Sequence, residues 1–136
     1  MVAMLFDSSH VATTIDRSAE EVYTFVSDPR NLPAWAAGLA EKGVERIDDE
    51  WVVVSPMGRV RVVFAPANAF GVADHEVTLP SGEVVSNPLR VVANGSGCDV
   101  MFTVHRRMGT SLAEFAADID AVTADLATLR ALMEHR

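Results

Sequence analysis

"GVADHEVTLPSGEVVSNP", residues 71–88, decides how this chain folds. Ala73, His75 and Val77 alternate with Asp74, Glu76 and Thr78, and beyond Pro80-Ser81-Gly82 the alternation resumes through Val85 and Asn87. A period of two belongs to a half-buried strand, and a Pro-Ser-Gly break between two such runs predicts a β-hairpin. The adjacent Asp74 and His75 invite an acid–base reading. Consecutive strand side chains point to opposite faces, however, so the two diverge and form no dyad.

A hairpin centred on Ser81 sets His75 opposite Asn87 and Val77 opposite Val85. A symmetric "APANA" loop (65–69) sets Val60 opposite His75 and Val62 opposite Ala73. The same register places Arg59 opposite Glu76 and Arg61 opposite Asp74, two opposite-charge pairs that favour it by under about 1 kcal/mol each. Two faces then separate. Trp51, Val53, Val60, Val62, Phe64, Ala73, His75, Val77, Asn87, Leu89, Val91, Val100, Phe102 and Val104 face the core. Arg59, Arg61, Asp74, Glu76, Ser86, Arg90, Asp99 and His105 face outward.

Outward from the hairpin, the period of two extends over 44–107 with breaks at "DD", "SPMG", "APANA", "PSG" and "NGSG". Strands are expected near 43–47, 50–55, 58–65, 70–79, 83–93 and 97–107, joined as an antiparallel meander. Upstream, "HVATTID" (10–16) alternates as a first strand. Ser18 and Glu21 have capping-box spacing ahead of the stripe Val22, Phe25 and Val26, which Asp28-Pro29 stops. Asn31 and Pro33 open a second short helix, with Trp35 and Leu39 on one face and Gly43 at its end. Downstream, Ser111 and Glu114 repeat the box before a long helix. Its Leu112, Phe115, Ile119, Val122, Leu126, Leu129 and Met133 form one stripe, with alanines and aspartates on the remaining surface. About 23 residues at 1.5 Å each make a rod of about 35 Å, the natural cover for the core face.

At 136 residues with 49% hydrophobic content, the chain is long and apolar enough for one domain with a packed core. A net charge of -8, with Lys42 the sole lysine, argues against a nucleic-acid surface and against docking on anionic lipid. Cys98 stands alone, which excludes an intramolecular disulfide and favours a reducing, cytoplasmic setting. The apolar opening "MVAMLFDSS" ends its apolar run at Asp7, too short for a signal peptide or membrane span. Residues 1–9 are read as a tail or arm, and 10–136 as one domain.

Several catalytic motifs fail. "HEVTL" (75–79) has Leu79 where a zinc protease needs its second His, and "GSGCDV" lacks the third glycine of a dinucleotide loop. Ser96 lies in a turn, and the histidines and Cys98 lack metal-ligand spacing, so no metal or cofactor is expected. Cys98 reads as a packing residue, His10 and His135 as solvated, and Trp35 as a plug from the second helix. Arg106 lies on the inner parity at a strand end, with its head snorkelling toward solvent.

One strand, two short helices, six strands and a long helix is an order that resembles the START-like helix-grip superfamily (SRPBCC). "IDRSAEEVYTFVSDPRNLPAWAAGL", "GRVRVVFAPANAFGVADHEVTLPSG" and "GCDVMFTVHRRMG" carry the resemblance, which is nearest to the polyketide cyclase/dehydrase and lipid-transport branch. It implies an α+β fold, with a curved seven-stranded antiparallel sheet wrapped on the C-terminal helix and a cavity between them. It also places the mouth near the 55–58, 79–82 and 107–110 loops, rimmed by Met57, Pro80 and Met108.

Within such a cavity, the expected lining is Trp35, Val53, Val60, Val62, Phe64, Ala73, Val77, Leu89, Phe102, Val104, Met108, Phe115, Ile119 and Val122. His75 and Asn87 are its strongly polar members, and burial obliges them to bond to each other, to water or to a ligand. The leading expectation is binding of a small, largely apolar or aromatic molecule. A second is a cyclase/dehydratase-type enzyme, with His75 as acid/base and Asn87 holding an enolate oxygen. A third is a ligand-free interaction module that uses the apolar arm to form a homodimer.

Overall fold

The computed structural model describes residues 4–36, 43–56 and 58–136. Strand β1 (Ser8–Ile15) leads into helix α1 (Ala19–Val26), a 3-10 turn at Pro29–Asn31 and the one-turn helix α2 (Leu32–Trp35). Seven strands follow: β2 (Val44–Ile47), β3 (Glu50–Ser55), β4 (Gly58–Phe64), β5 (His75–Thr78), β6 (Val84–Asn87), β7 (Leu89–Asn94) and β8 (Gly97–His105). Helix α3 (Leu112–Glu134) closes the chain. Every strand pairing is antiparallel.

Local chemistry sets the helix ends. Ser18 Oγ accepts the Glu21 amide at 3.2 Å, and Asp28 caps the 3-10 turn through the Arg30 amide at 3.0 Å. At Ser111 the box is reciprocal: Oγ accepts the Glu114 amide (3.0 Å) while Glu114 Oε1 accepts the Ser111 amide (3.1 Å). The expected contact of Trp35 with Leu39, the Lys42 position and the Met57 rim lie outside the described residues.

The expected seven-stranded sheet is in fact two sheets, ordered β1-β8-β7 and β2-β3-β4-β5-β6. The division falls at Pro88, inside what the alternation reads as one strand over 83–93. Proline has no N–H for a ladder, so the strand breaks there and its halves join different sheets. The neighbouring chain divides likewise. Residues 75–78 pair with β4 and β6, while 71–74 lie along β7, through Ala73 N–H to Leu89 O and Val91 N–H to Gly71 O, both 2.9 Å.

The hairpin register agrees with the expectation, with His75 opposite Asn87 and Val77 opposite Val85. The preceding register does not. His75 lies opposite Phe64 instead of Val60, and Val62 opposite Val77 instead of Ala73. Arg59 and Arg61 consequently pair with Glu45 (3.7 Å) and Glu50 (3.4 Å), not with Glu76 and Asp74. The cause is the loop at 65–74, which is wound around one amide and is not symmetric. Asn68 Oδ1 accepts the amides of Phe70 and Val72 (3.0 and 3.1 Å), and its Nδ2 donates to Pro66 O and Val72 O. The slip is an even number of residues, so every side chain keeps its face.

The core is correspondingly the anticipated face. Val53, Val60, Val62, Ala73, Val77, Leu89, Val91, Val100, Phe102 and Val104 are buried, together with Ile15, Val22, Val26, Leu32 and Trp35. Helix α3 packs on β1, β8 and α2 through Leu126, Leu129 and Met133. Its first half is different: Phe115, Ile119 and Val122 are only partly buried and Leu112 is exposed. The rod grips at one end and stands off at the other. No helix among the described residues is long and apolar enough to cross a membrane.

Candidate functional site

Where α3 stands off, a cavity of about 590 Å³ opens between it and the β5–β6 hairpin. Of the expected lining, Trp35, His75, Val77, Asn87, Phe102, Val104, Met108 and Val122 border this space. Val53, Val60, Val62, Ala73 and Leu89 lie in the packed core instead, and Phe64, Phe115 and Ile119 pack against that core. The reason is the slip in register: His75 meets Phe64 across the strands, so Phe64 closes the floor beneath the imidazole. Their rings stack with centroids 4.6 Å apart, and Phe102 meets the imidazole edge-on at 5.9 Å.

His75 is 4% exposed. Its Nδ1 lies 3.1 Å from Ala73 O, and a carbonyl oxygen can only accept, so Nδ1 carries the proton of the neutral ring. Nε2 is then a lone pair with no hydrogen-bond partner among the described residues. Burial holds the imidazole below its usual pKa, which keeps that lone pair free at neutral pH. Asn87 stands across from it in register, but of the partners open to the pair the mutual bond is not made, and Nδ1 bonds Ala73 O. Asp74 faces outward. Its carboxylate accepts from Arg90 Nε and Nη2 (2.9 and 2.8 Å) and from the Leu89 amide (2.8 Å), and the Arg90 guanidinium holds it below the ordinary carboxylate range.

A second polar group borders the cavity with an unmet need. The Trp35 side chain is 2% exposed, and its indole N–H is buried without a partner among the described residues. Arg106 also borders the space, but its Nε donates to Thr110 O (3.0 Å) and its guanidinium pairs with Asp7 (3.4 Å). Ser55, though buried, donates to Gly58 O at 2.8 Å. Cys98 is fully buried, and that burial pushes its thiol up.

The structure adds residues that the alternation does not reveal. Phe6, from the segment read as a tail, borders the cavity, as do Leu32, Leu79 and the edge strand β6 from Val84 on. Asp118 and Asp125 enter from α3. Their spacing holds a signal: positions 118, 122, 125 and 129 run 4-3-4, which puts both carboxylates on the margin of the apolar stripe.

Burial pushes Asp125 from its ordinary 3.8 up to about 6. A carboxyl that holds its proton more tightly when folded destabilises the fold as pH rises from 3.8 to about 6, and the penalty is complete above that. Asp125→Asn is therefore expected to stabilise the protein at neutral pH by on the order of 1 kcal/mol, a figure reduced for the group's remaining exposure. The gain should vanish near pH 4 in urea denaturation compared at the two pH values.

Comparison with known proteins follows the same lines. A family model described as polyketide cyclase / dehydrase and lipid transport matches residues 8–134. An uncharacterised protein of Bacillus thuringiensis superposes with a TM-score of 0.74 at 12% identity, covering 93% of this chain and 98% of its own. The protein Ara h 8.0201 does so at 0.68 and 12% identity, covering 96% and 99%. A point mutant of norcoclaurine synthase from Thalictrum flavum, solved with a transition-state analogue, gives 0.63 at 17% identity, covering 98% and 97%. At these identities the likeness is one of fold. No curated protein matches the sequence.

Proposed function

Because the chain belongs to the polyketide cyclase / dehydrase and lipid transport family, we propose that the cavity above His75 takes up a small, largely apolar or aromatic molecule. The family and the structural neighbours fit hydrophobic ligand binding in general. The observation that carries the reading is the cavity itself, about 590 Å³ left open beside the buried core. That volume suits a ligand of a few rings. Trp35, Val77, Phe102, Val104 and Val122 supply apolar wall, and the bare Nε2 of His75 supplies one point of orientation.

Val122→Trp places an indole in the middle of that space. Neutral naphthylmethanol should bind the native protein and lose at least about tenfold in affinity to the variant, with the melting temperature little changed. Calorimetric titration checks this; equal affinity for the two proteins would refute the cavity as the site.

The tautomer of His75 supports a second reading, an enzyme of cyclase/dehydratase type. A lone pair held free at neutral pH and bordering the cavity can remove a proton alpha to a carbonyl. Asn87, on the neighbouring strand, is within the lining to hold the resulting oxyanion. Under this reading His75→Ala abolishes turnover of a carbonyl substrate while binding stays close to native; unchanged turnover excludes the role.

A further inference from the structure

The charges around the cavity are unevenly satisfied. Arg107 donates to Glu83 at 3.3 Å, and Arg106 is engaged by Asp7 and Thr110 O, so both cations at the rim already have acceptors. Asp118 and Asp125 border the same space from α3, with Ala121 and Val122 between them, and neither has a hydrogen bond or ion pair among the described residues. Opposite them the imidazole of His75, 4% exposed, offers an unpartnered lone pair. Two carboxylates and an imidazole nitrogen all accept, and a surrounding protein of net charge -8 offers little counter-charge. Donors are present, the unpartnered Trp35 indole N–H among them; what such a lining lacks, among the described residues, is a cation left free to face its carboxylates.

We infer that the ligand is an apolar or aromatic body bearing a protonated amine, whose N–H groups bond Asp125 in the first instance, and that the same body bearing a carboxylate is rejected. The inference rests on the reading of the cavity as a ligand site and adds the ligand's charge. A charge-assisted hydrogen bond to the half-buried Asp125 contributes more than a fully exposed one, whereas an anion there meets a carboxylate that no ion pair compensates among the described residues.

Asp125 also gives the selectivity a pH dependence. Its carboxyl is pushed up to about 6, so the acceptor is neutral below that value and charged above it, and amine affinity rises through that range. The other charged groups bordering the space are His75 on β5, Glu83 before β6, His105, Arg106 and Arg107 at the end of β8 and just after it, and Asp118 on α3 itself.

The test uses three matched probes, naphthylmethylamine, naphthylmethanol and naphthoate, titrated calorimetrically into the native protein and into Asp125→Asn between pH 5 and pH 8. The amine should bind the native protein at least about tenfold more tightly than the alcohol at neutral pH, and naphthoate more weakly than either. In the variant the amine should fall to the level of the alcohol, the alcohol should be unchanged, and the pH slope of amine binding should disappear. If the alcohol binds but the amine has no advantage, or its advantage survives in the variant, the inference is overturned while the cavity remains a binding site. A pH slope that persists in the variant overturns the role of Asp125. If none of the three probes binds, the cavity reading and this inference fall together.

Discussion

Gly71→Ala should cost the protein on the order of 3 kcal/mol or more, the largest loss expected from substitution of any described glycine. Gly71 has φ +71°, in the left-handed region that alanine enters at a cost of about 1 kcal/mol. A Cβ there would also sit 2.0 Å from Val91 O, a backbone oxygen that β7 holds in place. The chain cannot move aside, because Gly71 O accepts the Val91 amide at 2.9 Å. Gly82 makes the control. It too has positive φ, at +91°, but nothing lies within 4 Å of where an added methyl would sit, so Gly82→Ala should cost only the backbone term of about 1 kcal/mol. Urea denaturation of the two variants separates the contributions, and equal losses would show that the approach to Val91 is immaterial.

Asp74→Ala ranks second, at about 2 kcal/mol. Asp74 is where the two sheets are tied. Its Oδ1 accepts the amide of Leu89, the first residue of β7, and without it that donor is left unpaired beside a buried side chain. Asp74→Asn keeps an oxygen for that amide and loses only the exposed ion pair with Arg90, so it should cost under about 1 kcal/mol. The sign of the pH effect follows from the lowered carboxyl. Its contribution is present above the ordinary value of 3.8 and is lost as pH falls through the depressed folded value. The gap between native protein and Asp74→Ala should therefore narrow in acid by the share owed to the Arg90 ion pair, while the Leu89 amide bond persists, which denaturation at neutral pH and in acid would reveal.

Both substitutions act at a junction that the alternation of residues does not disclose. The pattern at 70–79 and 83–93 is that of two strands, and only Gly71 and Pro88 in it carry a warning. The symmetric turn expected at 65–69 does not form because an asparagine side chain can replace backbone partners, and Asn68 does so for two amides and two carbonyls. Within the cavity, the imidazole is foreseeable and its partner is not: burial of His75 follows from parity, whereas its bond to Ala73 O depends on how the chain turns at 71–74. Asp125 escapes recognition in the sequence because a helical aspartate beside an apolar stripe is normally solvated, and only the gap beneath the first half of α3 makes it otherwise.

From the amino-acid order alone come the order of the elements, apart from the strand that Pro88 divides, the caps of α1 and α3, the core face of each strand and the divergence of Asp74 from His75. These are local properties, set by periods of two and 3.6 and by side chains reaching three residues along the chain. Tertiary structure alone decided the division into two sheets, the partner of each charged side chain and which apolar residues border space instead of packing. Those outcomes depend on contacts between segments far apart in sequence, where one proline, one asparagine and the stand-off of a helix redirect chain that looks uniform in one dimension.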